Sequence, residues 1–426
     1  MASEAAVGVV SFKVARQTVE EHAARLNVSG SEATNLLASI GRVLAEDLAA
    51  DRDFPLFPRA TRDGFAVRAE DVASVPARLD VIGEIKAGDV PSALTLGARQ
   101  AASIMTGAPL PEGADAVVMV EYTAQAKSGV EIQRGAQCGE NYVPRGAEAR
   151  AGQILLERGT RLDHAGIAIA ASIGKSTLQV VRKPRVAVLA TGDEIVGIDQ
   201  VPGPSQIRNS NTYSLAAQIE RAGGEPVLLP IAPDEPVQLR ARIEEGFNSD
   251  LLLLAGGVST GKYDLVEQVL GALGAEFYFT GAHIQPGRPI VFGSYERSRG
   301  AAPPTSSQGK SAPHRKYFFG LPGNPVSTMV TFELFVRPMI DALSGAKMRP
   351  LVFLRARLKS EIRTKTGLTR FLPAVLSGEF ENVEVALSSW QGSGDIAALA
   401  GANCYLVVPP GRERIAAGEY VPVMMR

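Results

Sequence analysis

Three short apolar runs near the middle of the chain each lead into a glycine-rich segment and then into a helical pattern. They lie in RVAVLATGDEIV (185–196), DLLLLAGGVSTGKYDLVEQVL (250–270) and YFFGLPGNPVSTMVTFELF (317–335). Because the runs are apolar on both faces, they predict central strands of a parallel sheet with helices on each side. The glycine-rich loops then lie at the carboxyl ends of the strands, where open α/β sheets bind ligands. Glycine lets backbone N–H groups approach an anion, so these loops predict an anion-binding site.

The flanking segments show other patterns. Apolar residues at helical spacing predict a helical region over residues 12–48 and a second one over 159–173. Short alternations of apolar and polar residues predict strands between them, from the proline-rich turn at 53–58 to about residue 150. Similar alternations predict a small all-β domain after residue 350. The fold class predicted is therefore multidomain α/β plus β, with a helical domain split around a β-rich insertion.

The predicted domain boundaries follow from where these patterns change. They are 1–50 with 149–180 for the split helical domain, 51–148 for the β-rich insertion, 181–345 for the α/β domain and 346–426 for the C-terminal β domain.

Composition narrows the classes of function. A chain of 426 residues with a formal net charge of −1 has room for several domains and no charge excess that would favour nucleic acid or an anionic membrane. Cys138 and Cys404 stand alone, so zinc and iron–sulfur sites are not expected. No apolar run approaches the roughly 20 residues needed to cross a bilayer, and the N-terminus lacks a secretory pattern. We expect a soluble, cytoplasmic protein.

The middle glycine-rich loop partly fits a nucleotide-binding motif. Residues 256–262 match the first seven positions of the phosphate loop G-x-x-x-x-G-K, but Tyr263 stands where Ser or Thr would hold magnesium. A nucleotide triphosphatase is therefore one alternative, with an incomplete motif.

The same loop also contains G-x-S-x-G, which would make Ser259 an esterase nucleophile. Such an enzyme needs an acid and then a histidine downstream, and the later histidines are His283 and His314. A tight turn with a capping hydroxyl is the structural alternative. It would explain the glycines and Ser259, but it leaves Asp264 and the other two loops unexplained.

Acidic residues occur beside several of the predicted turns. Taken singly, an aspartate near glycine or proline is a turn former or a helix N-cap. Taken together, these carboxylates would suit a divalent cation, because magnesium prefers carboxylate oxygens, water and substrate phosphates. The candidates are Asp63, Glu194, Asp234 and Asp264, with Arg288 and Arg370 as the basic groups that would receive an anion.

Six motifs in the same order resemble the molybdopterin molybdenumtransferase family, which includes the E domain of gephyrin. They are RDGFA (62–66), MTGAPLP (105–111), TGDE (191–194), GGVSTGKYD (256–264), PGRP (286–289) and GLPGNPVS (320–327). The resemblance implies an elongated subunit with a split helical domain, a β-rich insertion, a molybdopterin-binding three-layer α/β domain and a C-terminal β-barrel. It also implies a homodimer whose active site lies between subunits.

The resemblance further implies a reaction. In the family, adenylylated molybdopterin (molybdopterin-AMP) is cleaved with Mg2+ present, molybdate is transferred to the dithiolene, and AMP leaves. Magnesium and basic groups would offset the charge of the substrate phosphates and the incoming oxyanion, and no covalent nucleophile is required. The molybdopterin adenylyltransferase is a candidate partner that would deliver the substrate.

By resemblance, roles can be assigned to individual positions. The catalytic candidates are Asp63, Glu148, Glu194, Asp234 and Asp264, with Asp234 and Asp264 on the metal. The candidates for binding the pterin, the nucleotide and molybdate are Thr106, Thr191, Gly192, Gly256, Gly257, Ser259, Gln285, Arg288, Pro322, Gly323, Asn324, Ser327, Arg370 and Ser393.

Two positions depart from the family pattern. The acidic Glu-Asp pair that follows Arg-Gly is Ala147-Glu148 here, and Gln285 and Arg288 replace two lysines around the Pro-Gly turn. The alternative function is a non-catalytic relative that binds molybdopterin or acts as an assembly scaffold, as gephyrin also does. Release of AMP in the presence of molybdate separates the enzyme from the scaffold.

Overall fold

The computed structural model describes residues 8–26, 28, 30–90, 94–126, 129–256, 265–296 and 315–426. Within these ranges, no helix is both long enough and apolar enough to cross a membrane. The helices are α1 (Phe12–Ala23), α2 (His164–Ser172), α3 (Ser210–Ala222), α4 (Pro236–Gly246), α5 (Leu265–Ala272), α6 (Pro325–Thr331), α7 (Arg337–Leu343) and α8 (Ile396–Ala400).

The α/β region is built on a sheet of six strands in the described part of the chain. Their order is Glu225–Leu228, Arg185–Ala190, Leu251–Ala255, Arg315–Leu321, Val291–Glu296 and Glu276–Phe279. The first four are parallel, as the apolar runs predict, and the last two join by antiparallel pairing. Val186 and Val188 face the core formed with α3, whereas Ala187 and Leu189 face the core formed with α4 and α5. This alternation explains why the strand is apolar on both faces.

The region between the two predicted helical segments contains a second six-stranded sheet, counted over its described residues. The order is Ala116–Met119, Gly64–Val67, Gln100–Ile104, Ala77–Ile85, Val130–Ile132 and Thr123–Gln125. These strands agree with the β-rich prediction, and we call this sheet the β module.

The chain after residue 350 closes into a barrel of five strands within the fully described stretch 315–426. The strands follow each other in the order Thr369–Ser377, Glu384–Leu387, Leu354–Leu358, Tyr420–Met425 and Cys404–Val408, and the last pairs again with the first. The short strand Ile284–Gln285 of the α/β region pairs in parallel with Thr369 and Arg370. Backbone hydrogen bonds therefore join the α/β sheet region to the barrel.

Short two-stranded pairs connect the remaining segments. They are Val9–Val10 with Gly281–Ala282, Ser31–Asn35 with Thr177–Val181, Leu48–Ala49 with Ile154–Leu156, Arg59–Ala60 with Tyr142–Val143, Ile195–Val196 with Ile207–Arg208, and Ile362–Arg363 with Arg414–Ile415.

The prediction of helix over residues 12–48 is wrong beyond α1. Gly30 and Gly41 have φ values of +71° and +74°, which a continuous right-handed helix does not allow. Between them, the strand Ser31–Asn35 takes its hydrogen bonds from Thr177–Val181, far along the chain. The second predicted helix is also shorter, since α2 begins after the N-cap Asp163.

A split helical domain implies that its two helical segments pack together. In the structure, α1 and α2 belong to different cores. The buried residues Ala15, Val19 and Ala23 of α1 belong to the core of the α/β region, whereas Ala170 of α2 belongs to a separate cluster. The domain boundaries themselves stay predictions.

Besides its apolar residues, α1 contacts the α/β region through a buried arginine. Residues 325–343 form α6, a π-helical turn (Phe332–Val336) and α7 without a break. Pro338 has no N–H, so it cannot donate to the carbonyl of Leu334 four residues before it. Arg16 of α1 is buried and donates from Nη1 to this oxygen at 2.5 Å, while its Nε donates to Glu20 at 2.5 Å. The guanidinium of Arg16 thus supplies the hydrogen bond to Leu334 that Pro338 cannot.

Replacing Arg16 by methionine is expected to lower the free energy of unfolding by about 1–3 kcal/mol, because a buried carbonyl loses its charged donor. Calorimetry of the whole chain measures this as a lower thermal midpoint. The control is Lys13→Met, which removes an exposed charge from the same helix. Equal midpoints for the two variants would contradict the role given to Arg16.

Candidate active site between the strand-end loops and the barrel

A cleft of about 900 Å³ lies where the strand-end loops of the α/β region meet the barrel. It has the position that the sequence predicted, at the carboxyl ends of the parallel strands. The predicted site residues that line it are Thr191, Glu194, Gly256, Gln285, Arg288, Pro322, Gly323, Asn324, Ser327, Arg370 and Ser393.

The first loop arranges its polar groups around a buried threonine. Thr191 donates its hydroxyl to Oδ1 of Asp234 at 3.0 Å, and Oδ1 of Asp193 accepts from the backbone N–H of Asp234 at 3.1 Å. A Cβ on Gly192 would lie 2.5 Å from Oε2 of Glu194, so this carboxylate folds directly over the glycine. Three carboxyl side chains are therefore close to the cleft, but of these only Glu194 lines it.

Glycine lets the three loops touch through their backbones. Gly256 has a φ of +100°, and a Cβ there would lie 2.7 Å from the carbonyl oxygen of Thr191. Its N–H donates to the carbonyl of Leu321 at 3.2 Å. A Cβ on Gly323 would lie 3.7 Å from Cα of Gly256. This close approach requires glycine at position 256 and leaves room for a ligand above the loops.

The third loop is also tied to the barrel side of the cleft. Asn324 donates from Nδ2 to Oγ of Ser393 at 2.9 Å, and the N–H of Val326 donates to the carbonyl of Ser393 at 3.0 Å. Asn211, in the first turn of α3, donates from Nδ2 to the carbonyl of Gly323 at 2.7 Å. Its Oδ1 is buried without a hydrogen-bond partner among the described residues.

The charge of the cleft favours an anion. Arg208, Arg288 and Arg370 line it, and none of them forms an ion pair with a described carboxylate. Glu194 is the one carboxylate among the described lining residues. Arg370 is only 7% exposed and donates to the carbonyl of Leu368 at 3.2 Å. Burial lowers the pKa of its guanidinium, which nevertheless stays protonated at neutral pH.

Three predicted site residues, Asp63, Thr106 and Glu148, lie in the β-rich part of the chain between α1 and α2 instead and do not line this cleft. Oδ1 of Asp63 accepts from the backbone N–H of Thr106 at 2.6 Å, and hydrogen bonds from Thr106 lower the pKa of Asp63. Glu148 forms an ion pair with Arg59 at 2.8 Å. The structure thus brings Asp63 and Thr106 together, as a pair separate from the strand-end loops.

The predicted metal site is only partly within the described residues. Gly257, Ser259 and Asp264 lie outside them. Over the ranges that are described, no group of three or more His, Cys, Asp or Glu residues is arranged to hold a metal ion. The pairing of Asp234 with Asp264 on a metal therefore stays a prediction.

Several cleft residues carry no motif that sequence reasoning could recognise. They are Arg208, Asn209, Ser210 and Asn211 before and within α3, and Trp390 and Gly392 from the barrel side. Asn209 caps α3 by accepting from the N–H of Thr212. That these residues line the cleft depends on how distant segments pack, which the local sequence does not show.

Comparisons with known proteins agree with this architecture. Residues 10–174 match the MoeA N-terminal region (domain I and II), residues 187–342 a probable molybdopterin binding domain, and residues 355–425 the MoeA C-terminal region (domain IV). A molybdopterin molybdenumtransferase from Nostoc sp. is 37% identical over 92% of this chain and 88% of its own length. The one from Bacillus subtilis is 35% identical over 91% and 88%.

Solved structures give the same result. A molybdopterin biosynthesis MoeA protein from Pyrococcus horikosii superposes with a TM-score of 0.68 at 32% identity, covering 98% of this chain and 99% of that one. A second MoeA structure, from Pyrococcus horikoshii OT3, has a TM-score of 0.75 at 26% identity, with 98% and 100% covered. The fold class predicted from the sequence and the family resemblance are both confirmed. The chain belongs to the molybdopterin molybdenumtransferase family.

Proposed function

We propose that this protein is an enzyme that inserts molybdenum into molybdopterin. The observation that carries the proposal is the cleft itself, in which three glycine loops meet arginines that form no ion pair with a described carboxylate, at the carboxyl ends of a parallel sheet. Its volume of about 900 Å³ suits a ligand larger than a simple ion. Family membership supports the same reaction, because the relatives are named for it.

The substrates in this proposal are adenylylated molybdopterin and molybdate, and AMP is a product. Both substrates are anionic, so the arginines of the cleft attract them and stabilise the charge that moves during transfer. Arg370 and Arg288 bind the oxyanions, and Ser393 donates its hydroxyl. The backbones of Gly256 and Gly323 allow the pterin and nucleotide to approach closely. These residues bind and orient two anions side by side, which is the main requirement when no covalent nucleophile takes part.

Magnesium fits the acidic loop in this scheme. Oδ1 of Asp234 is occupied by Thr191, and its other oxygen makes no hydrogen bond to a described residue. Magnesium needs only one or two protein carboxylates when substrate phosphate and water complete its shell, so a cluster of three is not required. Asp234 and Asp264 would hold the ion, with Glu194 nearby. When bound, it would offset the negative charge of the substrate phosphates.

The direct test is incubation with adenylylated molybdopterin, magnesium and molybdate, with AMP release and active cofactor measured together. We expect both to appear, and omission of magnesium to stop them. A protein that binds the pterin but never releases AMP would instead be a binding or scaffold relative.

We further propose that the active protein is a cytoplasmic homodimer that receives its substrate from the molybdopterin adenylyltransferase. Asp63, Thr106 and Glu148 do not line the cleft of their own chain. The shared site implied by the family would place them over the cleft of the other subunit.

Mixing two inactive variants tests this arrangement. Asp63→Ala breaks the β-module side of a site and Arg370→Met breaks the cleft side, so a heterodimer would hold one intact site and one doubly broken site. If subunits exchange freely, half of the dimers are mixed, and about a quarter of the wild-type activity should return. The control is each variant mixed with itself. No recovery after verified exchange, or a monomeric mass at working concentration, would exclude a shared site.

A further inference from the structure

Arg208 lines the cleft from an element that no sequence motif marks as functional. It ends the short strand Ile207–Arg208, which pairs in parallel with Ile195–Val196. The N–H of Ile207 donates to the carbonyl of Glu194 at 2.8 Å, and the N–H of Asn209 donates to that of Val196 at 2.9 Å. The backbone of Arg208 is therefore fixed beside the acidic first loop.

The side chain of Arg208 is held by a backbone carbonyl rather than by a carboxylate. Its Nε donates to the carbonyl of Gln200 at 3.0 Å, and the guanidinium forms no ion pair with a described carboxylate. Arg240 on α4 shows the contrast, because its Nε is 3.0 Å from Oε1 of Glu244. One N–H of Arg208 thus orients the guanidinium, while its terminal amino groups make no hydrogen bond to a described residue.

The other two cleft arginines come from a different part of the wall. Arg288 belongs to the Pro-Gly turn, and Arg370 lies on the barrel strand as the register partner of Gln285. Gln285 is neutral, so the Pro-Gly turn carries one cation, Arg288, rather than two. Arg208 adds a further cation from the two-stranded pair that precedes α3. An anion in the cleft can therefore be contacted by cations from separate elements.

We propose that Arg208 binds a tetrahedral oxyanion of the substrates, either the nucleotide phosphate or molybdate, and compensates for the neutral Gln285. This inference rests on the proposed function. A guanidinium suits the task because its planar fork matches two oxygens of a phosphate-like group, and its charge does not depend on pH in the physiological range.

Calorimetric titration of the full-length protein tests the inference with AMP and, separately, with molybdate. We expect Arg208→Gln to weaken binding of at least one of them by about tenfold, and Arg208→Lys to weaken it less. Added salt should shrink the difference, since the site is open to solvent. The matched control is Arg240→Gln, which removes an exposed arginine outside the cleft and should bind like the wild type.

A rescue variant separates charge compensation from a local structural effect. Adding Gln285→Lys to Arg208→Gln should restore part of the lost affinity, because it returns a cation to the cleft. Loss with AMP alone assigns Arg208 to the phosphate, and loss with molybdate alone assigns it to molybdate. Wild-type affinity in Arg208→Gln for both anions overturns this inference and leaves the proposed function standing. A wild-type protein that binds neither anion overturns both.

Discussion

Replacing Arg370 by methionine is expected to slow molybdenum insertion by about a hundredfold or more, because it removes a preorganised cation that meets the reacting oxyanions. Arg370 is buried, lines the cleft and has no carboxylate partner among the described residues. Methionine keeps the apolar stem, and the carbonyl of Leu368 that loses its donor is only partly buried, so the fold should lose little stability. Initial rates of AMP release and the thermal midpoint should be measured on the same preparation.

Arg355 provides the control for this variant. It is exposed on another barrel strand, and Arg355→Met should keep the wild-type rate. Arg370→Lys should fall between the wild type and Arg370→Met, since it keeps the charge but loses the planar fork. A fully active Arg370→Met protein would show that the oxyanions bind elsewhere.

Replacing Gly64 by alanine is expected to lower the free energy of unfolding by about 3 kcal/mol or more, the largest loss of stability that we predict. A Cβ at this position would lie 1.9 Å from the carbonyl oxygen of Val118 and 2.9 Å from the backbone nitrogen of Val120. Both contacts are with backbone atoms of the neighbouring chain segment, which cannot rotate away. Asp63, the preceding residue, should lose its hydrogen bond with Thr106 as the strand shifts.

Gly88→Ala separates the clash from backbone strain in the same module. Gly88 has a φ of +99°, but a Cβ there would meet nothing within 4 Å. Its replacement should therefore cost only about 1–2 kcal/mol. The measurements are the thermal midpoint of each variant and the activity that remains at low temperature. Similar midpoints for the two variants would mean that the strand adjusts without difficulty.

The sequence predicted the α/β sheet well for a physical reason. Strands that are covered on both sides must be apolar at every position, and this makes Arg185–Ala190 and Leu251–Ala255 recognisable without knowledge of their neighbours. The antiparallel strands Val291–Glu296 and Glu276–Phe279 carry no comparable local signal. They extend the sheet through pairings that only the folded chain reveals.

The incorrect helix shows the limit of periodicity. Leu36, Leu37, Ile40, Val43 and Leu44 stand at helical spacing, yet backbone bridges join Val43 to Arg161 and Leu44 to Val180. Apolar spacing reports which side chains seek burial. It does not report whether the backbone finds its hydrogen bonds within its own segment or with a distant one.

The candidate site divides in the same way. Glycine loops at strand ends could be read from the sequence because close backbone approach requires glycine, as at Gly256. Arg208 and Trp390 could not, since an isolated arginine or tryptophan has no local feature that places it at a cleft. Arg370 is a candidate anion-binding group from the sequence, but its burial beside Gln285 depends on a strand pairing that periodicity does not predict.

The pairing between Ile284–Gln285 and Thr369–Ser377 also limits how far the two walls of the cleft can separate. Because Ile284–Gln285 pairs with the barrel strand through the main chain, the α/β region and the barrel are held together at Gln285 and Arg370, which both line the cleft. The spacing between Gln285 and Arg370 is set by the backbone before any ligand arrives, which lowers the ordering cost of binding. We therefore expect the spacing between Gln285 and Arg370 to be the same with and without an anion in the cleft.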